Sequence, residues 1–229
     1  MIVKKTYKGV IFEISSGLLM GIYNPFPFKK DIFIPSALPN GPTIDALGPQ
    51  FVRGGFKTIT ISDDITQIHD EAFGDSDIRE VVWPAGCYTI PKFCFAGSKI
   101  TKITNIGHVS KIEAFAFGES GIKEIDWPSG IKTIPWGCFY NSKLESIANI
   151  QSVTIIEDEG FYGAENLKIN LSDCDISSLG VSCLSGVPRD NVHLPYYLPC
   201  HFGEAFEPLD PMRHLKHVRP FPADEMFKK

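Results

Sequence analysis

Three six-residue stretches decide the fold: IPKFCF at residues 90–95, IEAFAF at 112–117 and IPWGCF at 134–139. They begin 22 residues apart, and each ends in a small residue followed by phenylalanine. A motif repeated at a fixed step of about 20–50 residues is typical of a solenoid, in which each repeat is one structural unit. The first and third stretches resemble each other more than either resembles the second.

The repeat extends well beyond these three copies. In each copy, isoleucine lies five residues before the phenylalanine, and a small residue lies directly before the phenylalanine. The phenylalanine column, the predicted spine, consists of Phe73, Phe95, Phe117, Phe139 and Phe161. Fainter copies on both sides bring the total to about seven turns over residues 31–195. Degenerate ends are expected, because a terminal repeat needs a polar or covered outer face.

A solenoid coil explains this spacing. Each coil would hold a strand, a turn, a second extended segment and another turn, and no single coil can bury its own apolar set. Stacked coils place equivalent residues about 4.8 Å apart, so the phenylalanines are expected to form one continuous buried column. We therefore predict a β-rich solenoid, a right-handed coil of about seven turns of 22 residues, with Cys94 and Cys138 as small core residues.

A second period of 44 residues is superimposed on the first. Trp-Pro at 83–84 and 127–128 alternates with Asn-Ile at 105–106 and 149–150. Duplication of a two-coil segment would leave this trace. Successive coils are then expected to interlock large residues with small ones, each tryptophan packing over the asparagine level of the next coil.

The pattern Ile-x-x-Ile-x-x-x-(Ala/Cys)-Phe resembles the BspA-like (Treponema-type) leucine-rich repeats over roughly residues 31–195. Its sharpest carriers are the dipeptides at 72–73, 94–95, 116–117 and 138–139, together with Pro84 and Pro128. The resemblance implies a leucine-rich-repeat solenoid that binds proteins, often at microbial surfaces, and that has no catalytic activity.

Both ends of the chain depart from the repeat. Residues 7–23 hold two alternating apolar runs around Ser15-Ser16-Gly17, which is typical of a hairpin. Such a hairpin would cover the open edge of the first coil. We divide the chain into an N-terminal capping hairpin at 1–30, the solenoid at 31–195 and an irregular, proline-rich C-terminal cap or tail at 196–229.

Composition restricts the class of partner. With 229 residues, 43% of them apolar, the chain can bury a substantial core. No apolar run approaches the roughly 18 residues of a membrane span, so no membrane insertion is expected. Residues 56–166 carry nine basic and sixteen acidic residues, and the net charge of the chain is −5. Because negative charge repels phosphate backbones, we expect a protein partner and no nucleic acid.

The N-terminus bears on location. The stretch MIVKKTYKGVIFEIS contains no apolar block of signal-peptide length and no small-residue cleavage site. A cytoplasmic location is expected if this start is native. If the sequence is part of a longer protein, the cell surface or the exterior is expected instead.

Two surfaces are candidate binding sites. In a leucine-rich-repeat strand, the residues that flank the inward positions face the concave side. Here they are Glu80, Val82, Lys102, Thr104, Glu124, Asp126, Ser146 and Ala148. The second surface is an aromatic row made of Phe93, Phe115, Trp136 and Tyr140.

The environment of the aromatic row has two interpretations. Phe93 and Phe115 share a repeat column with Glu71 and Glu159. A column that tolerates glutamate is expected to be exposed, and exposed aromatics would suit an interface. Alternatively, the rings tuck under the adjacent turn as extra core.

Signals for chemistry are weak. The best metal candidate is the group Cys200, His201, His214 and His217. Its spacing matches no compact zinc finger, so we expect no metal, no cofactor and no catalytic residues. The leading hypothesis is a non-catalytic protein-binding module. The alternatives are a structural self-assembly unit, in which coil ends stack into a homo-oligomer, and a metal-binding protein or enzyme that uses this C-terminal group.

Overall fold

The structure is a computed structural model that describes residues 1–25, 30–196 and 202–208. Over these ranges its regular elements are short β-strands, joined by turns, and three short 3₁₀ helices, at Ile150–Ser152, Arg189–Asn191 and Phe202–Phe206. In chain order the strands are β1 (Val3–Tyr7), β2 (Val10–Ser15), β3 (Leu18–Tyr23), β4 (Asp31–Ile34), β5 (Ala46–Leu47), β6 (Val52–Arg53), β7 (Thr58–Ile61), β8 (Gln67–Ile68), β9 (Glu80–Val82), β10 (Thr89–Ile90), β11 (Lys102–Thr104), β12 (Lys111–Ile112), β13 (Glu124–Asp126), β14 (Thr133–Ile134), β15 (Ser146–Ala148), β16 (Ile155–Ile156), β17 (Ile169–Asn170), β18 (Ser178–Leu179) and β19 (Val192–His193).

The chain winds as a β-solenoid of about seven turns, as the 22-residue spacing predicts. The first strand of each coil lies on one side, where β4, β7, β9 and β11 form a parallel sheet and β13 pairs with β15. The second strands form a separate side, with the parallel pairs β5–β8 and β10–β12 and the sheet β14–β16–β18. Paired residues are 22 apart from β7 to β16, and 23 apart in the pairs β16–β18 and β17–β19, so equivalent repeat positions lie beside each other.

Three N-terminal strands, where the sequence predicts a two-stranded hairpin, form a sheet that pairs with the first coil. Strands β1, β2 and β3 form an antiparallel meander, and β3 continues in parallel pairing with β5 and β6. The outer strand β1 carries Lys4 and Lys5, and Lys4 pairs with Glu13 on β2. Charged residues on an outer strand oppose pairing with another chain.

The predicted spine residues stack through the centre of the coils. All five phenylalanines are fully buried. Neighbouring ring centroids are 5.0 to 5.5 Å apart and the rings lie within 10° of parallel. Phe51 adds a sixth ring at 5.1 Å from Phe73, in an edge-on arrangement. From Phe51 to Phe161, each spine ring therefore contacts the ring of the next coil.

Crowding explains the small residue before each phenylalanine. The N–H of Phe117 donates to the carbonyl of Cys138 at 2.9 Å, and the N–H of Phe139 donates to that of Gly160 at the same distance. A Cβ atom at Gly160 would come within 2.9 Å of the Cγ2 atom of Ile156. The backbone hydrogen bonds thus hold adjacent coils close together at this position. A larger side chain there would collide with the isoleucine column.

Serine closes the turn after each of three spine residues. The hydroxyls of Ser76, Ser98 and Ser120 are buried, and each donates to a phenylalanine carbonyl three residues earlier at 2.7 Å. Ser142 lies at the equivalent position and is also buried, but its hydroxyl makes no hydrogen bond.

The coils that alternate with a period of 44 residues differ in backbone conformation at the Trp/Asn position. Trp127 is buried, and its indole N–H donates to the carbonyl of Ile131 at 3.0 Å. Asn105 and Asn149 instead have φ values of 62° and 60°, a left-handed conformation that asparagine tolerates. The amide of Asn105 donates to the carbonyl of Trp83 in the preceding coil at 2.8 Å. Coils with a buried ring thus alternate with coils that turn sharply at asparagine.

The backbone ladder continues into the C-terminal segment. The N–H groups of Ser182 and Leu184 donate to the carbonyls of Glu204 and Ala205, at 2.9 and 2.8 Å. Ala205-Phe206 lies 22 residues after Cys183-Leu184. Residues 202–208 therefore supply one more turn segment in register, a copy that the sequence analysis did not identify.

Candidate binding surfaces

The first strands present their outward side chains in two aligned rows. We name this surface, comprising the outward residues of β4, β7, β9, β11, β13 and β15, the strand face. The first row contains Asp31, Thr58, Glu80 and Lys102 in register, continued by Glu124 and Ser146. The second row contains Phe33, Thr60, Val82 and Thr104, continued by Asp126 and Ala148.

The eight residues of the predicted concave surface all lie on the strand face. Six are exposed: Glu80, Lys102, Glu124, Asp126, Ser146 and Ala148. Val82 and Thr104 are half-buried. The residues between them, Val81, Ile103 and Ile125, point into the core. This alternation is the period of two that a strand with one buried face requires.

Sequence reasoning missed the beginning of this surface. Phe33 heads the second row and is 48% exposed, and Thr60 lies between Phe33 and Val82. The alternation of DIFI at 31–34 and TITI at 58–61 is the signal that could have located them. Together the four residues of the second row from β4 to β11 form an apolar and β-branched strip.

A cleft interrupts the strand face after its fourth strand. Strands β11 and β13 belong to different sheets, and a cleft of about 630 Å³ opens at their ends. Its rim carries amide and hydroxyl groups, including Asn105, Asn149 and Ser152, with Asp126 at one side. The left-handed turns at the two asparagines bracket this opening.

The aromatic row is a connected stack. Phe93 stacks on Phe115 at 5.3 Å, and Trp136 forms a T-shaped pair with Phe115 at 4.8 Å. Tyr140 lies 5.9 Å from Phe115 and stacks on Tyr162 at 5.1 Å. Phe115 is buried, while the other four aromatics are half-buried. The row thus packs on itself and leaves only part of its area in contact with solvent.

The residues in the column that holds Phe93 and Phe115 have the same backbone conformation but differ in solvent exposure. Glu159, in the same column, is only 6% exposed. The shared feature is a positive φ, which is 54° at Phe93, 55° at Phe115 and 58° at both Gly137 and Glu159. The expectation that a column tolerating glutamate is exposed therefore fails at Glu159 and Phe115. Each coil turns through a left-handed residue at this column. The packing of the neighbouring coils determines how far the side chain at that residue is buried.

The surroundings of the aromatic row are acidic from Phe115 onward. The turn segments 113–119, 135–141 and 157–163 contain five acidic residues and no basic one. Burial raises the pKa of Tyr140, and the neighbouring Tyr162 and the carboxylates of Glu159 and Glu119 raise it further. The two carboxylates contribute because negative charge nearby penalises the phenolate.

The cysteines among the described residues are core residues. Five thiols, those of Cys87, Cys94, Cys138, Cys174 and Cys183, are free and buried. Burial raises the pKa of Cys87 and of Cys183 to about 12. The thiolate is the reactive form of cysteine, so these groups are not activated as nucleophiles.

The proposed metal ligands Cys200, His201, His214 and His217 lie outside the described residues. Within residues 1–25, 30–196 and 202–208, no three His, Cys, Asp or Glu side chains are grouped as a metal site would require. In the same ranges no helix has the length and apolar character needed to cross a membrane.

Comparison with protein families identifies the repeat. A family model described as BspA type leucine rich repeat region matches residues 50–198 as six copies. Repeats of this family and fold are typically non-enzymatic modules for protein interaction or for structure. Comparison with functionally curated proteins gives no significant match.

Two solved structures share the fold. A leucine rich cell surface protein from Faecalibacterium prausnitzii is 19% identical with a TM-score of 0.58, over 80% of this chain and 52% of that protein. A leucine-rich repeat protein from Bacteroides ovatus is 17% identical with a TM-score of 0.52, over 87% of this chain and 61% of that protein. This chain thus spans less than two thirds of the length of either.

Proposed function

This chain belongs to the BspA-type leucine-rich repeat family, and we propose on that basis that it is a non-catalytic module that binds another protein through its strand face. The observation that carries the proposal is the strip formed by Phe33, Thr60, Val82 and Thr104. These four residues come from adjacent paired strands and point away from the core.

The composition of the strip favours a protein partner. A phenylalanine that is 48% exposed on a strand offers apolar area whose removal from water stabilises a complex. Aromatic residues are enriched among the residues that dominate binding energy, especially where a polar rim surrounds them. Here the first row supplies that rim, with Asp31, Glu80 and Lys102 beside the strip.

Site-specific photo-crosslinking tests the proposal. A benzophenone amino acid is placed at Thr60 or Val82 in the full chain, and for comparison at Asp175, an exposed residue outside the strand face. After irradiation in cells of the source organism, adducts are identified by mass spectrometry. We expect one protein species to be captured from both strand-face positions and not from the comparison position.

The double variant F33S/V82S sharpens the test. With the photo-reactive residue at Thr60, this variant is expected to lose the adduct, because both neighbours of that residue in the strip are replaced. An adduct that survives F33S/V82S, or that forms equally from Asp175, contradicts binding through the strand face. An adduct with a second copy of the chain contradicts it too, in favour of the self-assembly alternative.

A further inference from the structure

A second pocket lies away from the strand face, beside the second strands of three neighbouring coils. Residues Thr133, Ile155 and Ser178 form the outward row of the sheet β14–β16–β18. At the end of that row a pocket of about 440 Å³ is lined by Trp136, Ile155, Glu157, Asp158 and Ser178, among others. We name it the Trp136 pocket.

The aromatic wall of the pocket is held in place. Trp136 is half-buried, and its ring and the buried Phe115 ring form a T-shaped pair with centroids 4.8 Å apart and 77° between the ring planes. Ile155, also half-buried, lines the adjoining surface. An indole fixed by a neighbouring ring loses little further freedom when a ligand packs against it, which favours binding.

Two carboxylates are fixed beside this wall. One oxygen of Glu157 accepts the backbone N–H of Trp136 at 2.8 Å. One oxygen of Asp158 accepts the backbone N–H of Val181 at 2.7 Å. Both side chains are exposed, and Asp158 follows Trp136 by 22 residues, which places the two in the same column of adjacent coils. The carboxylates are therefore oriented before any ligand arrives.

The turns beside the pocket carry only negative charge. The turns at 135–141 and 157–163, which flank the pocket, contain three acidic residues and no basic one. An aromatic face attracts a cation that lies within about 6 Å of its centre, and carboxylates form charge-assisted hydrogen bonds with ammonium and guanidinium groups. The long side chains of lysine and arginine also have an apolar stem that can pack on apolar surface.

We propose that the Trp136 pocket binds a lysine or arginine side chain of a basic protein segment. The stem packs between Trp136 and Ile155, and the charged end meets Glu157 and Asp158. This inference rests on the proposed function only in that the partner is a protein, because the pocket and the strand face share no residue. The inference adds that the protein segment bound at this pocket is basic.

Fluorescence anisotropy with labelled ten-residue peptides of arginine, lysine or glutamate tests this proposal. The variant E157Q/D158N removes two charges and keeps a side-chain oxygen for each backbone N–H. Its matched control is D63N/D64N, an adjacent exposed pair in another coil, where Asp63 accepts the N–H of Ala85 at 2.7 Å. The variant W136L removes the aromatic face without changing the charge.

We expect the arginine and lysine peptides to bind and the glutamate peptide not to bind. E157Q/D158N is expected to weaken binding at least about fivefold, as the loss of charge-assisted contacts implies, and W136L about threefold through the lost cation–π contact. D63N/D64N and the strand-face variant F33S/V82S are expected to bind as the parent does. Thermal unfolding of each variant shows whether it is folded.

Three results overturn the proposal. An equal loss in E157Q/D158N and D63N/D64N means that the peptides respond only to overall charge. Unchanged affinity in folded E157Q/D158N, or no binding of the basic peptides to the parent protein, removes the pocket as a site for basic side chains. None of these results bears on the strand face, whose contribution F33S/V82S measures separately.

Discussion

The ring of Phe115 lies directly over Gly137 of the next coil, in the space that any side chain at position 137 would occupy. Both residues have left-handed backbone conformations, with φ values of 55° and 58°. The large side chain is therefore accommodated by the absence of one in the following coil. The contact is separate from the 44-residue alternation of tryptophan with asparagine, because position 93, which lies 44 residues before Gly137, also holds phenylalanine.

Gly137→Ala is expected to lower the free energy of unfolding by about 2–4 kcal/mol, combining the cost of a positive φ with overpacking against Phe115. Gly55→Ala is the control, because φ there is +65° but a new Cβ meets no atom within 4 Å. It is expected to cost only about 1–2 kcal/mol. In a Phe115→Ala background the cost of Gly137→Ala should fall to that of the control. Equal costs with and without Phe115 in urea titrations would mean that the two residues do not interlock.

Ser120→Ala and Ser142→Ala form a second matched pair. The Ser120 hydroxyl donates to the carbonyl of Phe117 at 2.7 Å, whereas the buried Ser142 hydroxyl makes no hydrogen bond. We expect Ser120→Ala to destabilise the fold by about 1 kcal/mol and Ser142→Ala to be neutral or stabilising. Urea unfolding midpoints measure both. Equal losses would contradict the different environments of the two serines.

The buried thiols predict a loss of stability at alkaline pH. Burial raises the pKa of Cys87 and of Cys183 to about 12, whereas an unfolded cysteine ionises near pH ~8.5. Between these values the native state keeps protons that the unfolded state has lost. The free energy of unfolding therefore falls as pH rises, by about 1.4 kcal/mol per thiol and pH unit, and is unaffected below pH ~8.

Urea titrations from pH 7 to 10 measure this effect. Cys87→Ala/Cys183→Ala removes both thiols, so its stability is expected to fall less with pH than that of the parent. The difference between the two proteins isolates the thiols from the other groups that titrate in this range. Parallel pH profiles would show that these thiols ionise equally in the folded and unfolded states.

The sequence predicts most of the fold because one residue type recurs at a fixed step. The phenylalanine column and the alternating strands determine which side chains are buried, and the predicted spine and strand face follow from them. The left-handed column at positions 93, 115, 137 and 159 is harder to predict. It holds Phe, Phe, Gly and Glu, and a positive φ is uncommon in residues other than glycine, so residue type does not indicate the conformation.

The remaining features depend on contacts between coils. The Trp136 pocket combines residues from three coils, and no short sequence motif predicts it. The turn at 202–208 is different, since Glu204-Ala205-Phe206 repeats the Glu71-Ala72-Phe73 tripeptide. Extending the repeat by one further step of 22 residues would have located it.

A double-mutant cycle tests most directly whether the coils stack on a single phenylalanine column. Phe117 and Phe139 are in adjacent coils, with ring centroids 5.5 Å apart, whereas Phe73 and Phe161 are separated by three intervening coils. We compare the free energies of unfolding of single and double leucine variants for each pair. We expect a coupling of about 0.5–3 kcal/mol for Phe117 with Phe139, and additivity within about 0.5 kcal/mol for Phe73 with Phe161. Additivity in the adjacent pair, or equal coupling in both pairs, would contradict the stacked column.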